Sequence, residues 1–376
     1  MRIAVVHSFY SSSVPSGENR VVQDEVEALL RAGHDVTLHA AATDDLKEHA
    51  GFRIRSAARV STGWGRQPLF DESHPPDIIQ VHNLFPNFGT RWTSHAPAPI
   101  VATLHNYRWT CANGVALRDG AVCTLCFGGN STHALRYRCY RGSTIATAAV
   151  AFSHFGPIDR QPLLRNARRV RVLSPQMAAA LTERGFPSDR IDRWRNFLPD
   201  SLRPQRVDSG RQGFVFVGRL SPEKGIDRLL GEWPRNLQLT VVGDGPLRDE
   251  CHRLAVGKRV EFVGSASRRD AIRIMQRHTW LVFPSVVFEA APLVYLEALA
   301  SGLLIAACQP SSPAQTVAED GTGVAFPNPE ALGQGAANLA SSSFADPIRV
   351  FEERYSEAAF IRQTEASYEQ VRSRQG

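Results

Sequence analysis

Short apolar runs alternate with helical patterns twice along this chain, and a polar segment near the middle separates the two series. The first series opens with the apolar run 2–7, continues with a helical pattern at 21–32, and returns to an apolar run at 35–39. Continuous apolar runs are typical of strands buried on both faces, which occur in parallel sheets covered by helices. The sequence therefore predicts an α/β protein with two Rossmann-like parallel-sheet domains.

Composition and charge restrict the class of protein further. Hydrophobic residues make up 43% of the 376 residues, which is ordinary for a globular chain. No long apolar run and no secretory leader pattern is present, so we expect a cytoplasmic protein without a membrane-spanning helix. The net charge of +6 favours anionic substrates and leaves peripheral association with the inner face of a membrane open. No basic run with interleaved aromatic residues is present, so no nucleic-acid partner is expected.

A strand, a loop and the start of a helix are predicted between residues 280 and 302. The apolar run 280–283 is followed by a loop that carries Glu289, and helical spacing begins at Pro292. The fixed φ of proline suits the first position of a helix. The N–H groups and the positive dipole end of such a helix favour a bound phosphate. Glu297 falls on the second turn of the same helix.

Two carboxylates beside a phosphate site are explained by a ligand that also carries hydroxyl groups. A carboxylate accepts strong, charge-assisted hydrogen bonds from a vicinal diol. A nucleoside-diphosphate sugar has such diols on its ribose and on its hexose. Glu289 and Glu297 therefore predict a nucleotide-sugar site, and the alternative interpretation is a solvated helix with two surface acids.

A second loop supplies positive charge. The apolar run 213–217 leads into Arg219 and Lys224, which lie five residues apart on a short turn. Arginine offers a diphosphate a bidentate fork, and lysine offers it a point charge. No Asp-x-Asp motif stands at a predicted strand end. We therefore expect these cations and the helix dipole to stabilise a leaving diphosphate without a divalent ion.

Histidines stand at the ends of two strands predicted in the first half of the chain. His82 ends the apolar run 76–82, and His105 follows a similar run that begins at Pro99. Ligands of parallel sheets bind beyond the carboxyl ends of the strands. Gly17, in the loop after the first strand, can let the backbone approach a ligand closely. For His82, a hydrogen-bonded position in the core is the alternative.

With these residues, the chain resembles the family 4 retaining glycosyltransferases, which have the GT-B fold. Glu289 and Glu297 match the Glu-x7-Glu motif of that family, and Arg219 and Lys224 match its Gly-Arg…Lys-Gly motif. Residues 242–246 match its Val-Gly-Asp-Gly-Pro signature. The resemblance covers nearly the whole chain and is strongest from 213 to 302.

The resemblance implies a role for each matching residue. Glu297 would hold the ribose of the donor, and Glu289 the transferred sugar. Arg219 and Lys224 would neutralise the leaving diphosphate, and His105 would contact the transferred sugar or its phosphate. The candidate catalytic residues are His105, Glu289, Arg219 and Lys224. The candidate donor-binding residues are Gly17, Arg219, Lys224, Gly243, Val263, Gly264, Ala291, Pro292, Leu293 and Glu297.

The motif around Glu289 departs from the commonest family pattern. Many relatives have glycines where this chain has Ala290, Ala291 and Pro292. The two alanines keep their backbone N–H groups, so phosphate binding is still expected. Pro292 has no N–H group, which removes one donor.

The GT-B fold implies two Rossmann-like domains that face a cleft. We expect an N-terminal, acceptor-binding domain at 1–199, a linker at 200–212, and a nucleotide-sugar domain at 213–350. Residues 351–376 would form a C-terminal helix that crosses back to the first domain.

A cysteine-rich loop is predicted at 106–142, within the first domain. Its cysteines have the spacing C-x11-C-x2-C-x12-C, and they are Cys111, Cys123, Cys126 and Cys139. This spacing is similar to that of zinc ribbons, and a long, glycine-rich loop needs something to hold it. One interpretation is a structural zinc ion on the four thiolates, in which His133 could replace one of them. Buried thiols and disulfides are the alternatives.

The sequence thus predicts a metal-independent retaining glycosyltransferase. It would move a hexose from a nucleotide sugar, with UDP as the favoured nucleotide, to a hydroxyl acceptor. The acceptor could be a glycan, a lipid-linked sugar or a small natural product. A nucleotide-sugar epimerase on the same fold and a non-catalytic partner-binding protein are the alternatives.

Overall fold

The computed structural model describes residues 1–10, 17–205, 210–339 and 344–373. Contacts divide the chain into two units. The first comprises Met1–Ala116, Cys123–Trp194 and Ile361–Gly376, and the second comprises Leu117–Val122 and Arg195–Phe360. Parts of four predicted segments lie outside the described residues: 11–16 of the first loop, 206–209 of the linker, 340–343 of the nucleotide-sugar domain, and 374–376 of the C-terminal segment.

The strands up to residue 194 form one large parallel sheet and one small hairpin. They are β1 (Arg2–Phe9), β2 (Asp35–Ala42), β3 (Ile78–Asn83), β4 (Ile100–Leu104), β5 (Leu117–Arg118), β6 (Ala121–Val122), β7 (Arg169–Val172) and β8 (Ile191–Arg193). The sheet has the order β2-β1-β3-β4-β7-β8, and all its neighbouring strands are parallel. The hairpin pairs β5 with β6 and is grouped with the second unit.

Helices connect these strands. They are α1 (Gly17–Arg31), α2 (Thr43–Lys47), α3 (Phe52–Thr62), α4 (Thr132–Arg136), α5 (Thr144–His154), α6 (Pro162–Asn166) and α7 (Pro175–Glu183). A short 3-10 helix, Arg91–His95, lies between β3 and β4.

The second unit contains a parallel sheet of six strands. They are β9 (Phe214–Val217), β10 (Leu239–Val242), β11 (Val260–Gly264), β12 (Trp280–Phe283), β13 (Leu304–Cys308) and β14 (Gly323–Phe326). Their order is β11-β10-β9-β12-β13-β14, which is the doubly wound order of a Rossmann sheet. The predicted α/β class with two parallel-sheet domains is thus confirmed.

The remaining helices follow in chain order. They are α8 (Ile226–Glu232), α9 (Arg248–Leu254), α10 (Arg268–Met275), α11 (Leu293–Ala300), α12 (Ser312–Asp320), α13 (Pro329–Gly335), α14 (Pro347–Arg354) and α15 (Glu357–Ser373). No helix in the described ranges is both long and apolar enough to cross a membrane.

Burial explains why these strands read as unbroken apolar runs. Every residue of β3, β4, β12 and β13 is buried. Along β12, Trp280 and Val282 belong to one apolar cluster, whereas Leu281 and Phe283 belong to another. Because successive side chains of a strand point to opposite faces, the sheet has a core on each side.

The end of the chain belongs to both units. Helix α15 begins in the second unit, and from Ile361 onward it belongs to the first. Tyr368 and Val371 of this helix pack in the apolar cluster of the first unit, with Ile3 of β1 and Leu29 of α1. By contacts, the main part of the first unit ends at Trp194 and its C-terminal part begins at Ile361, whereas the domain bounds at 199 and 351 stay predictions.

Candidate functional site

The central strands of the second unit end at a cavity. The chain leaves β9 toward one edge of the sheet and β12 toward the other, and ligands of open α/β sheets bind at such a switch point. A cavity of about 340 Å³ lies here, and we call it the strand-end cavity. Four residues predicted from the sequence line it together: Arg219, Lys224, Pro292 and Leu293.

Lys224 and Glu289 are joined directly at this position. Lys224 Nζ donates to Glu289 Oε1 at 2.6 Å, and Ser285 Oγ donates to the same oxygen at 2.7 Å. Both side chains are largely buried, with 27% of the lysine and 13% of the glutamate side chain exposed. Arg219 is exposed at the same cavity. The structure therefore brings together three of the four candidate catalytic residues.

The loop that carries Lys224 packs backbone against backbone. Gly225 has a φ of +63°, and a Cβ atom at this position would lie 2.3 Å from the carbonyl oxygen of Pro284. Only glycine combines a left-handed φ with such a close approach. Val286 N donates to the carbonyl oxygen of Glu223 at 3.0 Å. The loops after β9 and β12 are thus fixed to each other.

Helix α11 starts one residue later than predicted. Pro292 is its N-cap, with φ −68° and ψ 131°, and Leu293 is the first helical residue. The proline is extended because the loop before it is held in place. Asn196 Nδ2 donates to the carbonyl oxygen of Ala291 at 3.0 Å, and Ser312 Oγ donates to that of Ala290 at 2.8 Å. Sequence reasoning did not identify Asn196 or Ser312, which are distant from the motif along the chain.

Glu297 has a partner that the sequence did not reveal. Arg268 Nε, at the start of α10, donates to Glu297 Oε1 at 2.5 Å. Glu297 is only 5% exposed, so its charge needs such a neighbour. The two residues lie 29 positions apart. The sequence signal for this partner was an arginine at the first position of the helix that follows β11.

The glycines proposed to approach the nucleotide also have packing functions. Gly243 has a φ of +141°, and a Cβ atom there would lie 1.8 Å from the carbonyl oxygen of Gly218. Gly243 N donates to the carbonyl oxygen of Gly264 at 2.8 Å, which joins the ends of β10 and β11. Val263 is 43% exposed although it is apolar. Contact of these residues with a nucleotide stays a prediction.

The first unit has its own cavity, of about 340 Å³, at the ends of β3 and β4. We call it the histidine cavity, because His82, His105 and His154 line it. His82 Nδ1 and His105 Nε2 are 2.9 Å apart, and the rings stack with centroids 5.1 Å apart. His82 is a core residue with 4% exposure, as its alternative interpretation stated, and it is also hydrogen-bonded to the candidate catalytic residue.

Burial determines the charge of these histidines. Desolvation lowers the pKa of His105 and of His154 to about 3, and that of His7 to about 4. It also holds the pKa of His82 well below its usual value. All four rings are therefore neutral at physiological pH, so each offers one donor and one acceptor.

Buried carboxyls of the first unit show the opposite shift. Burial raises the pKa of Glu18 and of Glu25 to about 7. Asn106 Nδ2 donates to Glu18 Oε2 at 2.9 Å, which partly offsets that effect. Glu25 Oε2 lies 3.4 Å from His82 Nε2. Two groups that titrate near neutrality thus lie in or behind the histidine cavity.

Gly17 is the first residue of α1, and a Cβ atom there would have no neighbour within 4 Å. The described structure therefore gives no steric reason for glycine. The predicted close approach of a ligand at this position stays a prediction.

The cysteine-rich loop has an apolar core of its own. Cys126 and Cys139 pack against a cluster that includes Ala134 and Val150. Burial raises the pKa of the Cys126 thiol to about 11, and the other three cysteines of the loop add to the effect. Within the described residues, no group of three or more His, Cys, Asp or Glu side chains is placed to hold a metal ion. The structural zinc ion on the four thiolates stays a prediction.

Family comparisons agree with this geometry. A family described as "Glycosyl transferases group 1" matches residues 211–342, and one described as "Glycosyl transferase 4-like domain" matches residues 16–196. Together the two matches cover most of the chain, which belongs to the group 1 glycosyltransferase family. The first match contains the whole strand-end cavity, and the second contains the histidine cavity.

Curated relatives are distant. An uncharacterized glycosyltransferase of Methanocaldococcus jannaschii is 27% identical over 146 residues, which is 36% of this chain and 37% of that protein. Glycogen synthase of Mycobacterium tuberculosis is 23% identical over 90% of this chain and 85% of its own length. A GDP-mannose-dependent alpha-mannosyltransferase of the same species is 30% identical over 42% of this chain and 44% of that protein. The chain thus spans little more than a third of the first of these relatives.

Solved structures share the fold over the whole chain. HepE of Anabaena in complex with UDP-glucose has a TM-score of 0.61 and 15% identity, and the alignment covers 98% of this chain and 100% of HepE. Sucrose-phosphate synthase of Thermosynechococcus elongatus has a TM-score of 0.61 and 18% identity, with 98% of each chain covered. These likenesses show the GT-B fold.

Proposed function

We propose that this glycosyltransferase is a retaining, metal-independent enzyme that moves a hexose from a nucleotide sugar to a hydroxyl acceptor. UDP is the favoured nucleotide. The observation that carries the proposal is the strand-end cavity, where Arg219, Lys224 and the start of α11 converge at the switch point of the sheet. Cations and a helix N-terminus together favour a diphosphate.

Lys224 would exchange its partner Glu289 for the diphosphate when the donor binds. Without ligand, Lys224 Nζ is held by Glu289. When a diphosphate binds, its oxygens would replace the carboxylate at Nζ. Glu289 would then be available to accept hydrogen bonds from hydroxyls of the hexose. Donor binding would in this way organise the group that positions the sugar.

Glu297 would accept hydrogen bonds from the ribose diol while Arg268 stays beside it. Glu297 Oε1 is occupied by Arg268 Nε at 2.5 Å, but a carboxylate has several acceptor positions. Arg268 would keep this buried carboxylate ionised and oriented. The pair would therefore act as a preformed acceptor for the ribose.

Transfer would proceed with retention at the anomeric carbon. The bond from that carbon to the diphosphate breaks, and the diphosphate departs with both electrons. Arg219, Lys224 and the α11 dipole stabilise its charge. The acceptor hydroxyl forms the new bond from the same face, and its proton passes to an oxygen of the departing phosphate. No protein nucleophile is required, and His105, a neutral ring, would orient the sugar.

The histidine cavity is the proposed acceptor site. Several buried polar atoms on its wall have no hydrogen-bond partner among the described residues, and they include Glu18 Oε1, Trp109 Nε1 and His154 Nδ1. Unsatisfied donors and acceptors in a cavity are explained by a ligand with hydroxyl groups. Phe85 and Phe152 supply an apolar wall for a sugar ring.

Calorimetric titration with UDP and GDP, in the presence of a chelator, tests the donor site. We expect UDP to bind the wild-type protein and to lose at least about tenfold in affinity for Arg219→Ala. Arg235→Ala, which removes an exposed arginine outside the cavity, should bind UDP normally. Binding of GDP alone would assign a guanosine donor, as used by the mannosyltransferase relative. Absence of binding to both nucleotides would refute the proposal.

Slow hydrolysis of UDP-hexoses in the absence of acceptor tests the stereochemistry. NMR should show that the hexose released first has the anomeric configuration of the donor. The inverted anomer would exclude retention, and a donor epimerised at another carbon would indicate an epimerase.

A further inference from the structure

A second cavity adjoins the histidine cavity in the first unit. It has a volume of about 540 Å³, and we call it the arginine cavity, because Arg91, Arg160 and Arg165 line it. Gly63, Arg91, Arg160 and Pro162 line both cavities. A ligand seated beside His105 can therefore continue past Arg91 and Arg160 into the arginine cavity.

The arginine cavity has no acidic residue among the described residues that line it. Arg91 Nε donates to the carbonyl oxygen of Thr62 at 2.9 Å, and its guanidinium lies 5.0 Å from the centroid of the Trp64 ring. The side chains of Arg160 and Arg165 are exposed and form no ion pair with an acid in the described ranges. Three neighbouring guanidinium groups without a carboxylate favour a polyvalent anion, and phosphate matches their fork geometry.

Aromatic rings form the rest of the arginine cavity. Trp64, Phe70 and Trp92 line it, and the rings of Phe70 and Trp92 are 5.8 Å apart. Trp64 is 66% exposed, and the neighbouring Leu69 is 83% exposed. Large exposed apolar side chains beside a cationic cavity suit a ligand that is both anionic and apolar.

We propose that the acceptor is an amphiphile in which a sugar is joined through a diphosphate to an apolar chain. The sugar would occupy the histidine cavity, the diphosphate would lie at Arg91 and Arg160, and the chain would cross Trp64 and Phe70. This assignment rests on the proposed acceptor function of the histidine cavity. It selects the lipid-linked sugar from the acceptor classes that the sequence left open.

Binding of three small probes tests the proposal on the full chain, without donor. The probes are geranyl diphosphate, geraniol and inorganic pyrophosphate, followed by the fluorescence of Trp64 and Trp92. We expect geranyl diphosphate to bind at least about tenfold more tightly than either of the others, because it alone contacts both the arginines and the aromatic rings. Equal affinity for pyrophosphate would assign the cavity to a free phosphate or an acidic glycan and would overturn the proposal.

Matched variants locate the binding. Arg160→Gln and Arg165→Gln should each weaken geranyl diphosphate binding about tenfold. Arg168→Gln removes an exposed arginine that lines neither cavity and should have no effect. Unchanged affinity in Arg160→Gln and Arg165→Gln would place the probe elsewhere and refute the proposal. The UDP titration is a separate readout: its failure with intact geranyl diphosphate binding refutes the donor site alone.

Behind His105, a different observation carries a second proposal. Glu25 Oε2 lies 3.4 Å from His82 Nε2, and His82 Nδ1 lies 2.9 Å from His105 Nε2. The side chains of His82 and Glu25 are 0% and 4% exposed. His82 is thus hydrogen-bonded to His105 at the histidine cavity, and its Nε2, which has no hydrogen-bond partner among the described residues, is in contact with the Glu25 carboxyl. We infer that Glu25 is a positioning residue, which sets the tautomer of His105 through His82.

The ionisation of Glu25 determines which nitrogen of each histidine carries the proton. When the 3.4 Å contact closes to a hydrogen bond, an ionised Glu25 accepts from His82 Nε2–H, so His82 Nδ1 must accept from His105 Nε2–H, and His105 Nδ1 is left as an acceptor. A protonated Glu25 donates to His82 Nε2, so the order reverses and His105 Nδ1 carries the proton. The pKa of Glu25, about 7, places the exchange near neutrality.

Other charged groups face these three side chains and set their balance. The guanidinium of Arg171, on β7, favours the ionised form of Glu25. Tyr368, on α15, stacks on Arg171 at 4.9 Å and is fully buried. His7, on β1, lies 6.2 Å from His82 between ring centroids, and its lowered pKa keeps it neutral. Arg171 is therefore the one charge of these groups that acts on Glu25 at neutral pH.

Nitrogen NMR of histidine-labelled protein reads the tautomer directly, without substrate. We expect the His105 signals, assigned with His105→Gln, to exchange their protonated nitrogen between pH 5.5 and 8.5. In Glu25→Gln, which cannot ionise, one tautomer should persist over the whole range. His154 is outside this group and serves as the internal control. A His105 tautomer that is the same at both pH values in the wild type would overturn the proposal.

Discussion

In the second unit, Lys224 and Arg268 each form a short contact with a carboxylate, whereas in the first unit the arginines of the arginine cavity have no acidic partner in the described chain. The second unit thus holds opposite charges in contact, and we propose that a diphosphate competes for Lys224 and a diol for Glu297. The first unit surrounds neutral histidines with arginines and titratable carboxyls. In our proposal, the donor site would exchange partners with its ligand, whereas the arginine cavity would bind an anion without releasing an acidic partner.

The loop after β9 packs backbone against backbone, so a glycine substitution there should destabilise the second unit more than Gly17→Ala, where the loop after β1 meets α1, destabilises the first. Gly225→Ala should lower the free energy of unfolding by about 4 kcal/mol, from the left-handed φ and a Cβ atom 2.3 Å from the oxygen of Pro284. Gly257→Ala shares the positive φ but meets no atom within 4 Å, so it should cost about 1–2 kcal/mol. Gly17→Ala, in the first unit, should be neutral within about 0.5 kcal/mol.

Urea unfolding followed by hydrogen exchange measures all three variants. Equal costs for Gly225→Ala and Gly257→Ala would show that the close approach to Pro284 adds nothing. A large cost at Gly17 would contradict the open surroundings of this residue and remove the contrast between the two first loops.

The stability of the first unit should depend on pH through Glu25, and the second unit should not share this dependence. The pKa of Glu25 is raised from 4.5 to about 7 by burial, so its neutral form favours the fold. This contribution is complete below pH 4.5 and is lost as the pH rises through 7. Relative to Glu25→Gln, the wild type should therefore lose about 3 kcal/mol of stability between pH 4.5 and pH 8. The buried histidines act with the opposite sign, but they are common to both proteins.

Hydrogen exchange of peptides from β3 and β4, corrected for intrinsic rates, measures this difference. Peptides from β9 and β12 should show no change between the two proteins and serve as the reference. A parallel change in both units would show that the effect is global and does not arise from the buried carboxyl.

Loss of the Lys224 charge at the strand-end cavity should have a smaller effect, on the affinity for UDP. Lys224→Gln should weaken UDP binding roughly 30-fold, or about 2 kcal/mol, because a charge-assisted contact with the diphosphate is lost. Lys47→Gln is the matched control, since Lys47 Nζ donates to Asp44 Oδ1 at the same 2.6 Å but lies at the surface of the first unit. Similar calorimetric affinities for both variants would mean that the Lys224–Glu289 pair is only structural.

The sequence revealed what a short stretch of chain can encode. The parallel strands could be predicted because they are buried throughout. Arg219 and Lys224 stood out because both lie in one loop, and Glu289 and Glu297 because both lie in one strand–loop–helix unit. Helix α3 was missed, because its arginines interrupt any apolar stripe and its only buried residue is Ser56. The cysteine spacing left zinc, buried thiols and disulfides open, and the apolar contacts of Cys126 and Cys139 agree with the second of these interpretations.

The parts of the sites that sequence reasoning missed are joined across long stretches of chain. Arg268 meets Glu297 from a different helix, and Asn196 reaches the loop at Ala291 from 95 residues away. The arginine cavity takes its cations from two segments, at Arg91 and at 160–165. No local sequence pattern predicts that these side chains converge, because their convergence depends on the order of the strands in the sheet.

The smallest expected effect concerns the ribose. If Glu297 accepts a hydrogen bond from the 2′-hydroxyl, UDP should bind the wild type about fivefold more tightly than 2′-deoxy-UDP, which corresponds to about 1 kcal/mol. In Glu297→Gln the two nucleotides should bind equally. Glu330→Gln is the control, since Glu330 is paired with Arg228 at 2.6 Å elsewhere in the second unit and should keep the difference. An unchanged preference in Glu297→Gln would mean that Arg268 already satisfies this carboxylate. The second unit would then have one exchangeable pair, at Lys224, and a fixed one beside it.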